Sequence, residues 1–265
     1  MRRLVLAIGL LLAATPAFAK MQAKSVEWSV GQERFSGYVV YDDAAKAKRP
    51  GLVMVPNWMG VTDDAVARAK AIAGDDYVVL VADVWGKGKQ PKDSAEAGKF
   101  AGALRGEDRG PLRARIEAAL ATLKAQAGKA PLDASKLGAF GFCFGGSTVL
   151  ELARSGADVA GVVSLHGGLA PGAKSQTAAS IKAPVLVLNG ADDKATPDAD
   201  ILAFEKEMDA ARADWQFVDF SGAVHCFAEP SAGNDPASNC RYDARAAKRA
   251  YRMMDDFFRE RFAAK

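Results

Sequence analysis

With 265 residues, 49% of them hydrophobic and 25% charged, the chain has the composition of a folded globular protein, which excludes a disordered or fibrous one. Its formal charge of +3 includes Arg2 and Arg3 at the extreme N-terminus. The remainder is nearly neutral, so neither nucleic acid nor an acidic membrane surface is an expected partner.

Met1-Arg2-Arg3, the apolar run Leu4–Thr15 and the closing Pro16-Ala17-Phe18-Ala19 have the layout of a secretory signal peptide. Residues 1–19 are the expected leader, cut between Ala19 and Lys20. The run is short for a membrane span. The expectation is export to the periplasm or beyond, no membrane attachment after cleavage, and one α/β domain over 20–265.

Val26–Val30 and Phe35–Tyr41, parted by Gly31-Gln32, read as a hairpin. Gly51–Val55 is a continuous apolar strand ending in the loop Pro56-Asn57-Trp58-Met59-Gly60, after which Thr62 or Asp63 caps a helix carrying Val66, Ala69 and Ile72. Tyr77–Ala82 is the next buried strand, followed by Asp83-Val84-Trp85-Gly86-Lys87. The charged stretch Gln90–Arg109 is expected to be a solvated face rather than a lid. Pro111 opens a helix with Leu112, Ile116, Leu120 and Leu123 on one side, closed by Gly128. Strands at Leu137–Phe140, Val159–Ser164, Pro184–Asn189 and Trp215–Phe220, a helix over Pro197–Arg212 and a final amphipathic helix from Asp243 to Phe262 complete the chain. This alternation predicts a mostly parallel α/β sheet with helices on both faces.

Gly141-Phe142-Cys143-Phe144-Gly145-Gly146 follows a strand and reads as Gly-x-nucleophile-x-Gly, a tight strand-to-helix turn with a thiol at its centre. It lacks the Gly-x-Gly-x-x-Gly of a dinucleotide fold and the Lys of a phosphate loop. A thiol nucleophile requires a base and an orienting acid. His225 and His166 both follow strands, where open α/β sheets gather their sites. Asp193 and Asp192 share the turn Gly190–Pro197. With Asp193 as the acid, His225 gives the order nucleophile, acid, histidine and His166 does not; Asp192 is the less favoured acid. His166 reads as a loop-packing residue near the site or a substrate contact, and Trp85 as a pocket wall or core. The oxyanion donors are expected to be the backbone N–H groups of Phe144 and Trp58.

The remaining cysteines, Cys226 and Cys240, bracket a turn-rich loop and are expected to pair, leaving Cys143 free. The spacing of Cys and His gives no zinc site, so no metal or organic cofactor is expected.

The chain resembles the dienelactone hydrolase family of α/β-hydrolases across nearly all of residues 20–265. The resemblance rests on the hairpin, the Pro56–Gly60 loop, Ala82-Asp83-Val84-Trp85-Gly86, the Cys143 turn, the Gly190–Pro197 turn and Ala223-Val224-His225-Cys226-Phe227. It implies an α/β-hydrolase fold and a Cys143–His225–Asp193 triad with Trp58 and Phe144 at the oxyanion hole. It also implies a small ester or lactone substrate taken through a thioester, with Asn57, Trp85, Lys87 and His166 around it. Where the family's best-known members carry a Glu, this chain has Asn57; where they grip a substrate carboxylate with arginines, it has Lys87 and Glu229. A neutral ester or lactone is expected to suit such a pocket better than an acid. The competing readings are a thiol redox protein and a non-catalytic binding module, the latter resting on Asn57.

Overall fold

The computed structural model describes residues 21–172 and 181–264, so the expected leader lies outside the described residues. Strands β1 (Met21–Val30) and β2 (Glu33–Asp42) form the hairpin, closing at Val30 opposite Glu33 with Gly31 at φ +57°. The remaining strands are β3 (Arg49–Val55), β4 (Val78–Val81), β5 (Leu132–Phe142), β6 (Val162–Leu165), β7 (Val185–Gly190) and β8 (Trp215–Phe220). They lie in the order β1-β2-β4-β3-β5-β6-β7-β8. The pairs β1/β2 and β2/β4 are antiparallel, and every pair from β4 onward is parallel. β5 begins earlier than its apolar run because a bulge at Pro50/Gly51 lets Leu132 pair with Arg49.

Helices cover both faces: α1 (Asp63–Ala73), α2 (Ser94–Leu104), α3 (Gly110–Lys124), α4 (Phe144–Arg154), α5 (Asp198–Ala210) and α6 (Ala244–Ala263). Local chemistry sets their starts. Thr62 caps α1 by accepting the Ala65 N–H, and Asp93 and Asp243 do the same for α2 and α6. The alternation along β3 explains its continuous apolar sequence. Val53 and Val55 enter the core beneath Leu112, Ile116 and Leu152, while Leu52 and Met54 enter the opposite core with Ala69, Ala250 and Phe258. Each of the larger buried side chains here, Val, Leu, Ile, Met or Phe, contributes about 1.5–3 kcal/mol.

This topology positions the site. β3, β5, β6, β7 and β8 are parallel, and at or just beyond their carboxyl ends stand Asn57 and Trp58, Cys143, His166, Asp193 and His225 respectively. Five segments far apart in sequence therefore converge at one end of the sheet. Among the described residues no helix is long and apolar enough to cross a membrane.

Candidate active site

Cys143 joins β5 to α4 with φ 51° and ψ −113°, a left-handed backbone that side chains resist. The turn closes only because its neighbours are glycines. A Cβ on Gly141 would stand 2.3 Å from the carbonyl of Gly145. One on Gly145 would stand 2.0 Å from the Val55 oxygen. The result is a half-buried thiol above the start of α4, at the end where helix N–H groups point outward.

His225 follows β8 and turns its ring between Cys143 and Asp193. Its Nδ1 lies 2.7 Å from Asp193 Oδ2, and its ring shares the cavity wall with the Cys143 thiol. Burial alone would lower the imidazole pKa, but the bond to the Asp193 carboxylate and the influence of Cys143 outweigh it and raise the value to about 10. Asp193 is itself buried. Desolvation works against its charge, yet His225 and the N–H of Ala195, 2.8 Å away, hold its carboxyl below the usual range. Asp192 is exposed, its backbone N–H 2.9 Å from the Ala223 oxygen. Of the two acids, Asp193 meets the histidine.

Sequence reasoning missed Asn239. Its amide donates to Asp193 Oδ1 at 3.1 Å while its oxygen accepts the Lys194 N–H at 3.1 Å. The neighbouring Cys240 is bonded to Cys226 in a disulfide, and the Arg241 N–H donates to the His225 oxygen at 3.0 Å. The disulfide thus fastens the His225 loop to the loop bearing Asn239. The expected Cys226–Cys240 pairing was the one signal that could have brought Asn239 near the acid.

Phe144 is the first residue of α4, so its N–H has no acceptor within the helix. Trp58 follows Asn57 in a turn held by Asn57 Oδ1, which accepts the Met59 N–H at 3.0 Å. The Asn57 Nδ2 donates to Glu229 Oε2 at 2.6 Å, and Arg68 Nη1 reaches the same oxygen at 2.6 Å. Glu229 is 1% exposed. The repulsion expected from its charge is cancelled at the spot by Arg68, a residue on α1 that the sequence did not single out. A further cation, Arg105, sits on the opposite wall with its guanidinium 5.2 Å from the centre of the Phe144 ring.

These groups border a cavity of about 740 Å³ lined by Asn57, Trp58, Cys143, His225, Glu229, Arg105 and both disulfide cysteines. Ser94 and Arg105 line it too, so the two ends of α2 face the site although its middle packs Ala97 and Ala101 into the core. Three expected contacts fall elsewhere. Lys87 is turned away at Gly86 (φ +115°) and pairs with Glu27 on the hairpin at 2.6 Å. Trp85 is 4% exposed and stacks on Phe144, ring centres 4.6 Å apart, so it supports that residue from beneath. His166 is wholly buried under Cys143 and accepts its N–H at 3.1 Å. Among the described residues no cluster of three or more His, Cys, Asp or Glu is placed to hold a metal ion.

The sequence pattern of the dienelactone hydrolase family matches residues 35–262. Two solved structures share 36% sequence identity and cover 91% of this chain and 99% of their own: m3DLH, with a TM-score of 0.85, and a dienelactone hydrolase-like promiscuous phosphotriesterase from metagenomic libraries, with a TM-score of 0.83. The protein K02A2.1 of Caenorhabditis elegans is 36% identical over 156 residues, which are 58% of this chain and 96% of that protein.

Proposed function

The chain belongs to the dienelactone hydrolase family, and on that premise we propose that it is an exported hydrolase that cleaves small carboxylic esters or lactones with the Cys143 thiol. One observation carries the reading: His225, bonded to Asp193 at 2.7 Å, shares the cavity with the Cys143 thiol, and both raise its pKa. That is the arrangement a thiol needs to surrender its proton and an imidazolium needs to be held in place.

The geometry supports the following reaction. His225 takes the Cys143 proton, and the thiolate, favoured by the imidazolium and the start of α4, adds to the ester carbonyl. The oxyanion is held by the N–H groups of Phe144 and Trp58, each worth about 10²–10³ in rate in comparable sites. Collapse breaks the C–O bond, the alkoxide leaves with the proton of His225, and a thioester remains. His225 then draws a proton from water, hydroxide adds to the thioester, and the acid departs as Cys143 is restored. A lactone follows the same path with its alcohol still tethered to the acyl group.

Export is proposed from residues 1–19, with a mature chain beginning at Lys20 in the periplasm or outside the cell; N-terminal sequencing of exported protein tests it. The hydrolase reading is tested with an activated acetate ester and the Cys143→Ala variant. A rate well above buffer that disappears in the variant supports it. Equal rates in both proteins would place the nucleophile elsewhere, and no rate in either would return the protein to the redox or binding readings.

A further inference from the structure

His166 is wholly buried, belongs to no step of the reaction above, and has one ring nitrogen bonded and the other without a partner. Nδ1 accepts the backbone N–H of Cys143 at 3.1 Å, a hydrogen that also points at the Leu165 oxygen at 3.0 Å. A ring nitrogen that accepts carries no proton, so the neutral imidazole bears its hydrogen on Nε2. That nitrogen faces Glu229 Oε1 at 3.8 Å. Both atoms are out of reach of solvent and have no hydrogen-bond partner. The other oxygen of Glu229 is clamped by Asn57 and Arg68, each at 2.6 Å.

We infer that His166 is a positioning residue for Cys143, its Nδ1 holding the nucleophile turn while the buried ring stands between that turn and the Asn57–Glu229–Arg68 cluster. The inference rests on the proposal that Cys143 is the nucleophile. Cys143 has φ 51° and His166 φ 42°, two non-glycine residues in left-handed conformation joined by one hydrogen bond. Such a backbone persists only where its surroundings hold it. Here the end of β6 supplies two acceptors for a single N–H. The ring itself is packed against Phe227, at 5.3 Å, Phe142, at 6.0 Å, and His225, at 5.2 Å. Burial first, then the nearby charges of His225 and Arg68, keep its pKa well below the ordinary value, so the acceptor nitrogen stays bare.

Two variants separate the hydrogen bond from the volume. In His166→Asn the amide oxygen replaces Nδ1, and asparagine tolerates positive φ. His166→Leu fills space without an acceptor. The readouts are the acylation rate with an activated acetate ester and alkylation of Cys143 by iodoacetamide, each beside a melting curve. Losing this bond is expected to slow both reactions about tenfold in His166→Leu with KM little changed, and the Asn variant is expected to recover to within about threefold of wild type. Should the Leu variant fail to fold, the Asn variant and the wild-type ring still decide. Long-range proton–nitrogen NMR is expected to show His166 protonated at Nε2 and bare at Nδ1. Wild-type rates in the Leu variant, an Asn variant as slow as the Leu variant, or a protonated Nδ1 would each overturn the inference. A wild-type protein that hydrolysed no ester would sink the hydrolase reading alone, since alkylation and tautomer would still report on His166.

Discussion

The pair formed by Arg68 and Glu229 offers a quantitative test of how charge is held beneath the cavity. Their side chains are 8% and 2% exposed and meet at 2.6 Å. In an Arg68→Met variant, Glu229 keeps a single strong partner, the Asn57 amide on Oε2, while Oε1 has none. Asp64, the second acid on Arg68, is half exposed and simply returns to water. The expected cost is therefore that of one uncompensated buried carboxylate, about 3–5 kcal/mol. For a domain of this size that lowers Tm by about 10 °C. Adding Glu229→Leu removes the stranded charge, so the double variant is expected to recover most of the loss, with a coupling energy of about 2–4 kcal/mol. Urea unfolding followed by both fluorescence and circular dichroism supplies the free energies, provided the two probes coincide. An Arg68→Met variant within about 1 kcal/mol of wild type would refute the reasoning. So would a double variant no more stable than the single one.

Three further outcomes are expected. Gly145→Ala drives a Cβ to 2.0 Å from the Val55 oxygen, so β3 must yield and carry the Trp58 loop with it. The variant is expected to lose about 1–3 kcal/mol and at least a hundredfold in ester turnover, as measured by unfolding and by initial rates. His225, raised from 6.5 to about 10 by Asp193 and Cys143 against the pull of burial, contributes stability that is full below pH 6.5 and lost as pH rises through 10. Replacing Cys143 by Ala removes one of the two raising partners, so the NMR titration of His225 is expected to move to lower pH, and an unchanged midpoint would contradict the contact. Replacing Cys226 and Cys240 by Ser opens a loop with a sequence separation of 14 and is expected to cost about 3 kcal/mol by chain entropy. Because the bridge also holds Asn239 on Asp193, kcat is expected to fall as well, and loss of stability alone would show that Asn239 stays in place without it.

The features that sequence alone determined are those written in local physics. Alternation of apolar strands with amphipathic helices, capping at Thr62 and Asp243, and glycines flanking Cys143 are decided within a few residues, and they fix both the architecture and the turn. The order of Cys143, Asp193 and His225 followed from chain topology, since each stands beyond a parallel strand. Partners across the sheet ends lay beyond that reach. Glu229 read alone as a negative wall, yet Arg68, 161 positions earlier, neutralises it. Lys87 read as a substrate grip, yet the turn at Gly86 gives it to Glu27. The roles of Asn239 and His166 depend on contacts made across 46 and 23 positions. A sequence specifies where strands end by short-range pattern, but which side chains meet there depends on how separate loops pack together, and electrostatics is decided by those meetings.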